Sequence, residues 1–388
     1  MTSRILRPAA CTAALALVPF LSLPAAAQLA VSANDGKAIL VNGVNSTAPN
    51  PIPDNVSIID LNVSPPKVIG EVQAPASVVG PPQSVAVAPD ESIALVTGAM
   101  KVDPSDPKKV VPNDKLSVID LKASPPVVIA TLDVGLGASG LSINHAGTLA
   151  LVANRSEGTV SILSISGKTV TVAGKLDLGN KSAGPSHVVF MPDDKRALLT
   201  RDGDHRISVL SVDGTKVEDT KQFMVASYRP YSISISPKGD VAVLTNQGGG
   251  QGDSDVISVV DLKQNPPRVV DHVTVGQIPE GATISPDGNF VAITIQNGSA
   301  RPTTHQAYND YGLLKIFRID GTKLTLAAES KVGGWNQGAV WSKDGKTLLN
   351  QSMKELSIDV LSFDGTSLRQ VGTIKTNGGP AGLRTAEK

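Results

Sequence analysis

Five histidines, His145, His187, His205, His272 and His305, are the side chains best able to ligate a metal or pass a proton near neutral pH. None stands four residues from another, and no His-Glu-x-x-His occurs, so zinc-dependent hydrolysis has no framework here. Asp202-Gly203-Asp204 and Asp253-Ser254-Asp255 have the spacing that opens a calcium loop, but the remaining EF-hand carboxylates do not follow, and both read as solvated turns. Gly248-Gly249-Gly250 lacks the lysine and the following helix of a phosphate cradle, and there is no Gly-x-Ser-x-Gly elbow to present a nucleophilic serine. The sequence therefore points to no metal and no cofactor.

Whatever chemistry exists must be assembled from distant residues, so the elements that carry them matter. Arg4 and Arg7, the apolar run Ala9 to Phe20 and the small residues Ala25-Ala26-Ala27 have the order of a secretory leader. Cleavage after Ala27 divides the chain into residues 1–27, a signal peptide, and residues 28–388, one domain with a periplasmic or secreted location. The cut removes Cys11, the sole cysteine, and with it any disulfide. It also leaves 33 basic against 35 acidic residues, since Arg4 and Arg7 are the only charges lost. That near-neutral balance argues against a nucleic-acid partner or an anionic membrane surface. No membrane anchor follows, and a monomer is expected.

The domain repeats itself. A Ser-Pro-Asp-Gly turn, clearest at Ser285-Pro286-Asp287-Gly288, recurs in degenerate copies ending at Gly36, Glu91, Gly147, Asp194, Gly239 and Gly345. The spacings, 45 to 57 residues, lie in the propeller range. A β-rich strand follows each turn, as at Ala38 to Val41, Leu149 to Ala153 and Val241 to Thr245. Seven alternating third strands come next: Val56 to Leu61, Leu116 to Leu121, Val160 to Ile165, Ile207 to Val212, Ile257 to Leu262, Leu314 to Ile319 and Ile358 to Phe363. A fourth run closes each unit after a Pro-Pro, Asp-Gly or Ser-Gly turn. Four strands repeated seven times without helices predict an all-β fold, a seven-bladed β-propeller of four-stranded antiparallel blades. The innermost strand of blade one is either Gln28 to Ser32 or Gly382 to Ala386.

These turns, the strands ending Val152-Ala153-Asn154 and Leu244-Thr245-Asn246, and the Val-Ser-Ile-Ile-Asp-Leu type of third strand resemble the YVTN-type and lactonase-like seven-bladed propellers across the mature chain. Gly184-Pro185-Ser186-His187, running on to Phe190-Met191-Pro192-Asp193, is similar to the lactonase branch's Gly-Pro-Arg-His motif and its Pro-Asp turn. Ser186 stands where that motif has Arg, and Thr200-Arg201-Asp202 where it has Asn-Glu. The resemblance implies a general base or substrate-positioning role for His187.

In a blade whose strands alternate in direction, the connection before the innermost strand and the one between the second and third strands share a face. On that face blades three, four and seven have short loops (Arg155 to Gly158, Asp202 to His205, Gln351 to Glu355). Blades one, two, five and six have long ones (Gly43 to Asn55, Gly98 to Asp114, Asn246 to Asp255, Gln296 to Gly312). Unequal loops on one face of a repeat array mark its binding side. Trp335 and all four tyrosines, Tyr228, Tyr231, Tyr308 and Tyr311, fall there, and the blade-six insertion adds Arg301, His305 and Asp310. Aligning the turns places a polar ring at the mouths of the innermost strands: Gln28, Gln83, Ser139, Ser186, Tyr231, Glu280 and Gln337. These features favour a non-enzymatic binding propeller whose partner is a small polar ligand or a protein. The alternative is a lactonase-like hydrolase using His187 with Glu280.

Overall fold

In the computed structural model, residues 1–2 and 28–387 are described; residues 3–27, the bulk of the expected leader with its expected cleavage site, lie outside the described residues. Seven four-stranded antiparallel sheets form the blades. The innermost strands of blades two to seven are Val85–Val87, Ala138–Ile143, Pro185–Phe190, Pro230–Ile235, Pro279–Ile284 and Asn336–Trp341. Blade one takes its innermost strand from the other end of the chain: Gly379–Thr385 pairs antiparallel with Leu29–Asp35, from Ala30 opposite Thr385 to Asp35 opposite Gly379. This settles the closure in favour of the C-terminal segment. Leu29–Asp35 is the second strand of its blade, where it also pairs with Asn55–Asp60.

Two expectations for blade one change with it. The turn ending at Gly36 does not join the first and second strands, because those strands come from opposite ends of the chain. Ala38–Val41 is not a blade strand either; it pairs with Val44–Thr47 in a separate hairpin. A second hairpin, Met100–Asp103 with Asp106–Pro112, fills the long loop of blade two. Both extend from the face that carries the long loops, hereafter the top.

The core lies between blades rather than within them. Alternation sends every other side chain of a strand to each flanking blade. Val31, Val56 and Ile58 of blade one thus pack on Val85, Ala94, Val96 and Ile119 of blade two. Each fully buried Val, Leu or Ile stabilises by about 1.5–3 kcal/mol, and such clusters recur around the ring. The outermost strands alternate in exposure, as Lys67–Gln73 shows. At the bottom, Ser285 Oγ of the Ser-Pro-Asp-Gly turn donates to Asp287 and accepts from Phe290 N at 2.9 Å, with Gly288 at φ 75°. Ser342 and Asp344 repeat the device. The repeat motif is therefore a turn lock.

Candidate functional site

The innermost strands are irregular at their top ends. Register shifts occur between Ala138 and Leu141, Pro185 and His187, Pro230 and Ile233, Pro279 and Ala282, and Asn336 and Ala339. A bulge re-aims the residue within it, and here those residues are Ser139, Ser186, Tyr231, Glu280 and Gln337. A threonine on the second strand of the preceding blade fixes four of these bulges, all but that of Ser186. Thr97 Oγ1 donates to Ser139 O at 2.6 Å, Thr200 Oγ1 to Tyr231 O at 2.6 Å and Thr245 Oγ1 to Glu280 O at 3.0 Å, and Thr294 repeats the bond to Gln337 O. Four positions of the mouth ring are thus held by side-chain-to-backbone bonds between blades. Blade one contributes Ala381 to it, in the corresponding shift opposite Ala33 and Asn34. Gln28 does not belong to the ring: it lies at the bottom, donating to Trp341 O and accepting from Lys343 N.

A second ring escaped the sequence reading. The residue after the end of each second strand points over the mouth, giving Arg155, Asp202, Gln247 and Gln296 in blades three to six. Arg155 donates to Ser186 Oγ at 2.7 Å and pairs with Asp202. Arg229, just before the innermost strand of blade five, lies 3.5 Å from Asp202 and donates to Gln247 at 2.9 Å. Gln247 and Gln296 donate to the two oxygens of Glu280, Gln247 at 3.0 Å. The Arg155 guanidinium lies 5.6 Å from the Tyr231 ring centre. In the space where the lactonase motif would place an arginine at position 186, a guanidinium from the neighbouring blade is bonded to Ser186.

Electrostatics single out Glu280. Burial pushes its pKa up to about 7, against the pull of the Gln247 and Gln296 amides and the Arg229 and Arg155 charges. A carboxyl poised near neutrality beside fixed cations is a functional-site signature. Burial, and then the Glu280 charge, raise the Tyr231 hydroxyl, so it remains a neutral donor. Among the described residues no group of three or more His, Cys, Asp and Glu converges as a metal site.

His187 lies deeper and is wholly buried. Its Nδ1 accepts from Ile233 N at 3.3 Å. This is the bond that Ser232 Oγ makes to Ala282 N one blade further on, at 3.0 Å. His187 and Ser232 occupy equivalent positions, and both cap the inner edge of the next blade. Burial, helped by Arg384, drives the His187 pKa well below its ordinary value. Gln83 reaches across the axis to Ser232 Oγ at 2.6 Å. Gln83 O accepts from Leu141 N, and Pro82 O accepts from Leu383 N. Pro82 also lies so close to two glycines that a Cβ would sit 2.8 Å from it at Gly338 and 3.3 Å at Gly281. The channel is stoppered at this level.

Of the remaining expected binding residues, Gln337 belongs to the ring and the others are engaged elsewhere. Trp335 is buried with Val78, Met353 and Ala381. Gln337 is buried in the ring. Arg301 donates to Gln277 and to Gly250 O, and His305 Nδ1 accepts from Ala307 N. Tyr308 faces Lys354, and Lys331 Nζ sits 3.9 Å from the Tyr311 ring centre. The blade-six insertion is thus a folded cap; the blade-one hairpin abuts it where Gly43 meets Arg301 and Pro302.

At the other end of the axis, beneath the stopper, a cavity of about 480 Å³ is lined by the bottom ends of the innermost strands. Its walls include Phe190, Ile235 and Trp341, with Arg384 and Glu387 at one side. Volume and charge therefore favour opposite ends. For chemistry, the convergence of Glu280 with two guanidinium groups weighs more than open space.

Comparison with known proteins agrees with this architecture. The family model for the lactonase seven-bladed β-propeller matches residues 178–315, a segment holding Asp202, Arg229, Tyr231 and Glu280. No curated protein matches the sequence. Among solved structures, the Pseudomonas aeruginosa periplasmic gluconolactonase is 16% identical, with 93% of this chain and 99% of that one covered and a TM-score of 0.68. A Bacteroides fragilis protein provisionally named a 6-phosphogluconolactonase is 15% identical over 93% and 98%, with a TM-score of 0.70. The hydrazine synthase of Kuenenia stuttgartiensis, 17% identical over 79% and 90% with a TM-score of 0.61, has the same fold under a different name. Its seven closed blades make the chain a seven-bladed β-propeller, similar over residues 178–315, the segment at its charged mouth, to the lactonase family.

Proposed function

We propose that the protein hydrolyses small, negatively charged sugar lactones at the top mouth, outside the cytoplasm. The observation that carries this is Glu280, a carboxyl with a pKa of about 7 held in one mouth with Arg155, Arg229 and Tyr231. Glu280 takes a proton from water as the oxygen attacks the lactone carbonyl. The guanidinium and phenol donors face the oxyanion that forms. The ring C–O bond then breaks and the departing oxygen recovers the proton, giving a hydroxy acid that ionises. Two cations set against Asp202 and a carboxyl near its midpoint leave the mouth positive, which favours an anionic substrate. The location rests on the leader at residues 1–27; the Pseudomonas aeruginosa relative is itself described as periplasmic.

The test measures acid release from glucono-1,5-lactone and its 6-phosphate, above the spontaneous rate, for the exported protein and for Glu280→Gln. Turnover that is faster on the phosphate and lost in the variant is expected; no acceleration of either substrate overturns the reading. Binding without turnover is the second reading, favoured because both Glu280 oxygens already accept amide N–H groups.

A further inference from the structure

The bottom cavity contains groups that hydrolysis at the top does not use. Its volume, about 480 Å³, lies within the range of small-molecule sites. Several polar groups of its wall are already paired: the Trp341 indole N–H donates to Thr283 O at 3.1 Å, and Ser234 Oγ accepts from Ile284 N at 3.0 Å. What faces the space is mainly hydrocarbon, from Phe190, Ile235, Ile284, Val340 and Trp341.

The wall also holds charged groups, among them buried Glu91 and exposed Lys343, and its buried cation is Arg384. Its side chain is only 8% exposed, and burial alone pulls its pKa down to about 10, which still leaves it charged at neutral pH. Keeping a cation there is costly without a partner. The chain supplies Glu387, three residues on, whose side chain is 40% exposed. A carboxylate so open to water holds its partner weakly. Glu387 thus shows which chemistry the guanidinium accepts, from a position that a better-seated carboxylate can take over.

We propose that the bottom cavity is a second binding site, for a small amphipathic carboxylate. Its apolar body lies against Phe190, Ile235 and Trp341, and its carboxylate replaces Glu387 on Arg384. The site is closed toward the top by Pro82 and Gln83, so it fills from below, and it does not depend on the lactone reading.

Indole-3-acetate and 4-phenylbutyrate, titrated calorimetrically into the exported protein, are the probes, with indole-3-acetamide as the neutral control. The carboxylates are expected to bind, with the amide at least about tenfold weaker. Glu387→Gln should tighten carboxylate binding several-fold by removing the internal competitor, and Arg384→Gln should abolish it. Because Glu387 is largely at the surface, its variant tests the idea even if Arg384→Gln fails to fold. The proposal is overturned if neither carboxylate binds, if the amide binds as well as the acid, or if Glu387→Gln leaves the affinity unchanged.

Discussion

The two ends of the propeller axis are built from the same seven strands, yet they offer a ligand opposite things. At the top, bulges turn side chains inward and threonines of the preceding blades lock four of them, giving a crowded, hydrogen-bonded, charged mouth. At the bottom, six of these strands run regularly into the repeated turns, blade one's excepted, and leave a roomy space with largely apolar walls and a buried cation. Backbone irregularity is what separates them. Preorganised dipoles suit charge that develops during a reaction, whereas an open apolar space suits shape-driven binding. Volume alone favours the bottom, and converging charge favours the top.

Several measurements would break or sharpen that contrast. The largest effect belongs to Glu280→Gln, expected to lower lactone turnover by about 10²–10⁴-fold, the range for a general base. Carboxylate binding at the bottom should not change; if it does, the ends are not independent. The wild-type kcat/KM should rise with pH and level off above about 7, where Glu280 becomes ionised.

The same group should reveal itself in stability. Its folded pKa of about 7 lies above the unfolded value of 4.5. Its contribution is therefore fully present below about pH 4.5 and lost as pH rises through 7. The loss is about 3 kcal/mol for a shift of this size. Urea unfolding should accordingly find Glu280→Gln more stable than wild type at pH 8, and the difference should vanish near pH 4. A gain that does not depend on pH would mean that the carboxyl is not held near neutrality.

Removing the Gln83 side chain deletes the bond to buried Ser232 across the axis. Gln83→Ala should cost about 1–2 kcal/mol in the same assay. The smallest effect is expected at Tyr308, whose partner Lys354 is exposed. Tyr308→Ala should change stability by less than about 0.5 kcal/mol and leave lactone turnover intact; a loss of turnover would extend the top site onto the cap.

Which parts were legible follows from what is local in the chain. Tyr231 and Glu280 were found because each lies a fixed distance before a turn that the sequence displays. Gln28 was misplaced because blade one is completed from the far end of the chain, so its turn does not exist to be aligned. Arg155, Asp202, Gln247 and Gln296 occupy one equivalent position after the second strand, and the repeat carried that signal. Asp202 was read as a turn residue, a loop bound and a motif departure, Arg155 and Gln296 only as loop bounds, and Gln247 lay unnamed within a loop. His187 sits in a motif that resembles a catalytic one, but its equivalence to Ser232, visible only through the strand register, makes it an edge cap. Trp335 lies in a loop beside the mouth, yet at φ 50° its chain turns the indole inward against Met353 and Ala381. The bottom cavity has no local signature, since it exists only where the bottom ends of several strands converge.

The stopper has a mechanical meaning as well. In a ring of repeats, each unit touches only its neighbours, and such a hoop can open at its weakest joint. Pro82 and Gln83 are bonded to blades one, three and five and packed on six and seven. They act as a hub, and opening any seam of the rim means straining spokes that reach the far side.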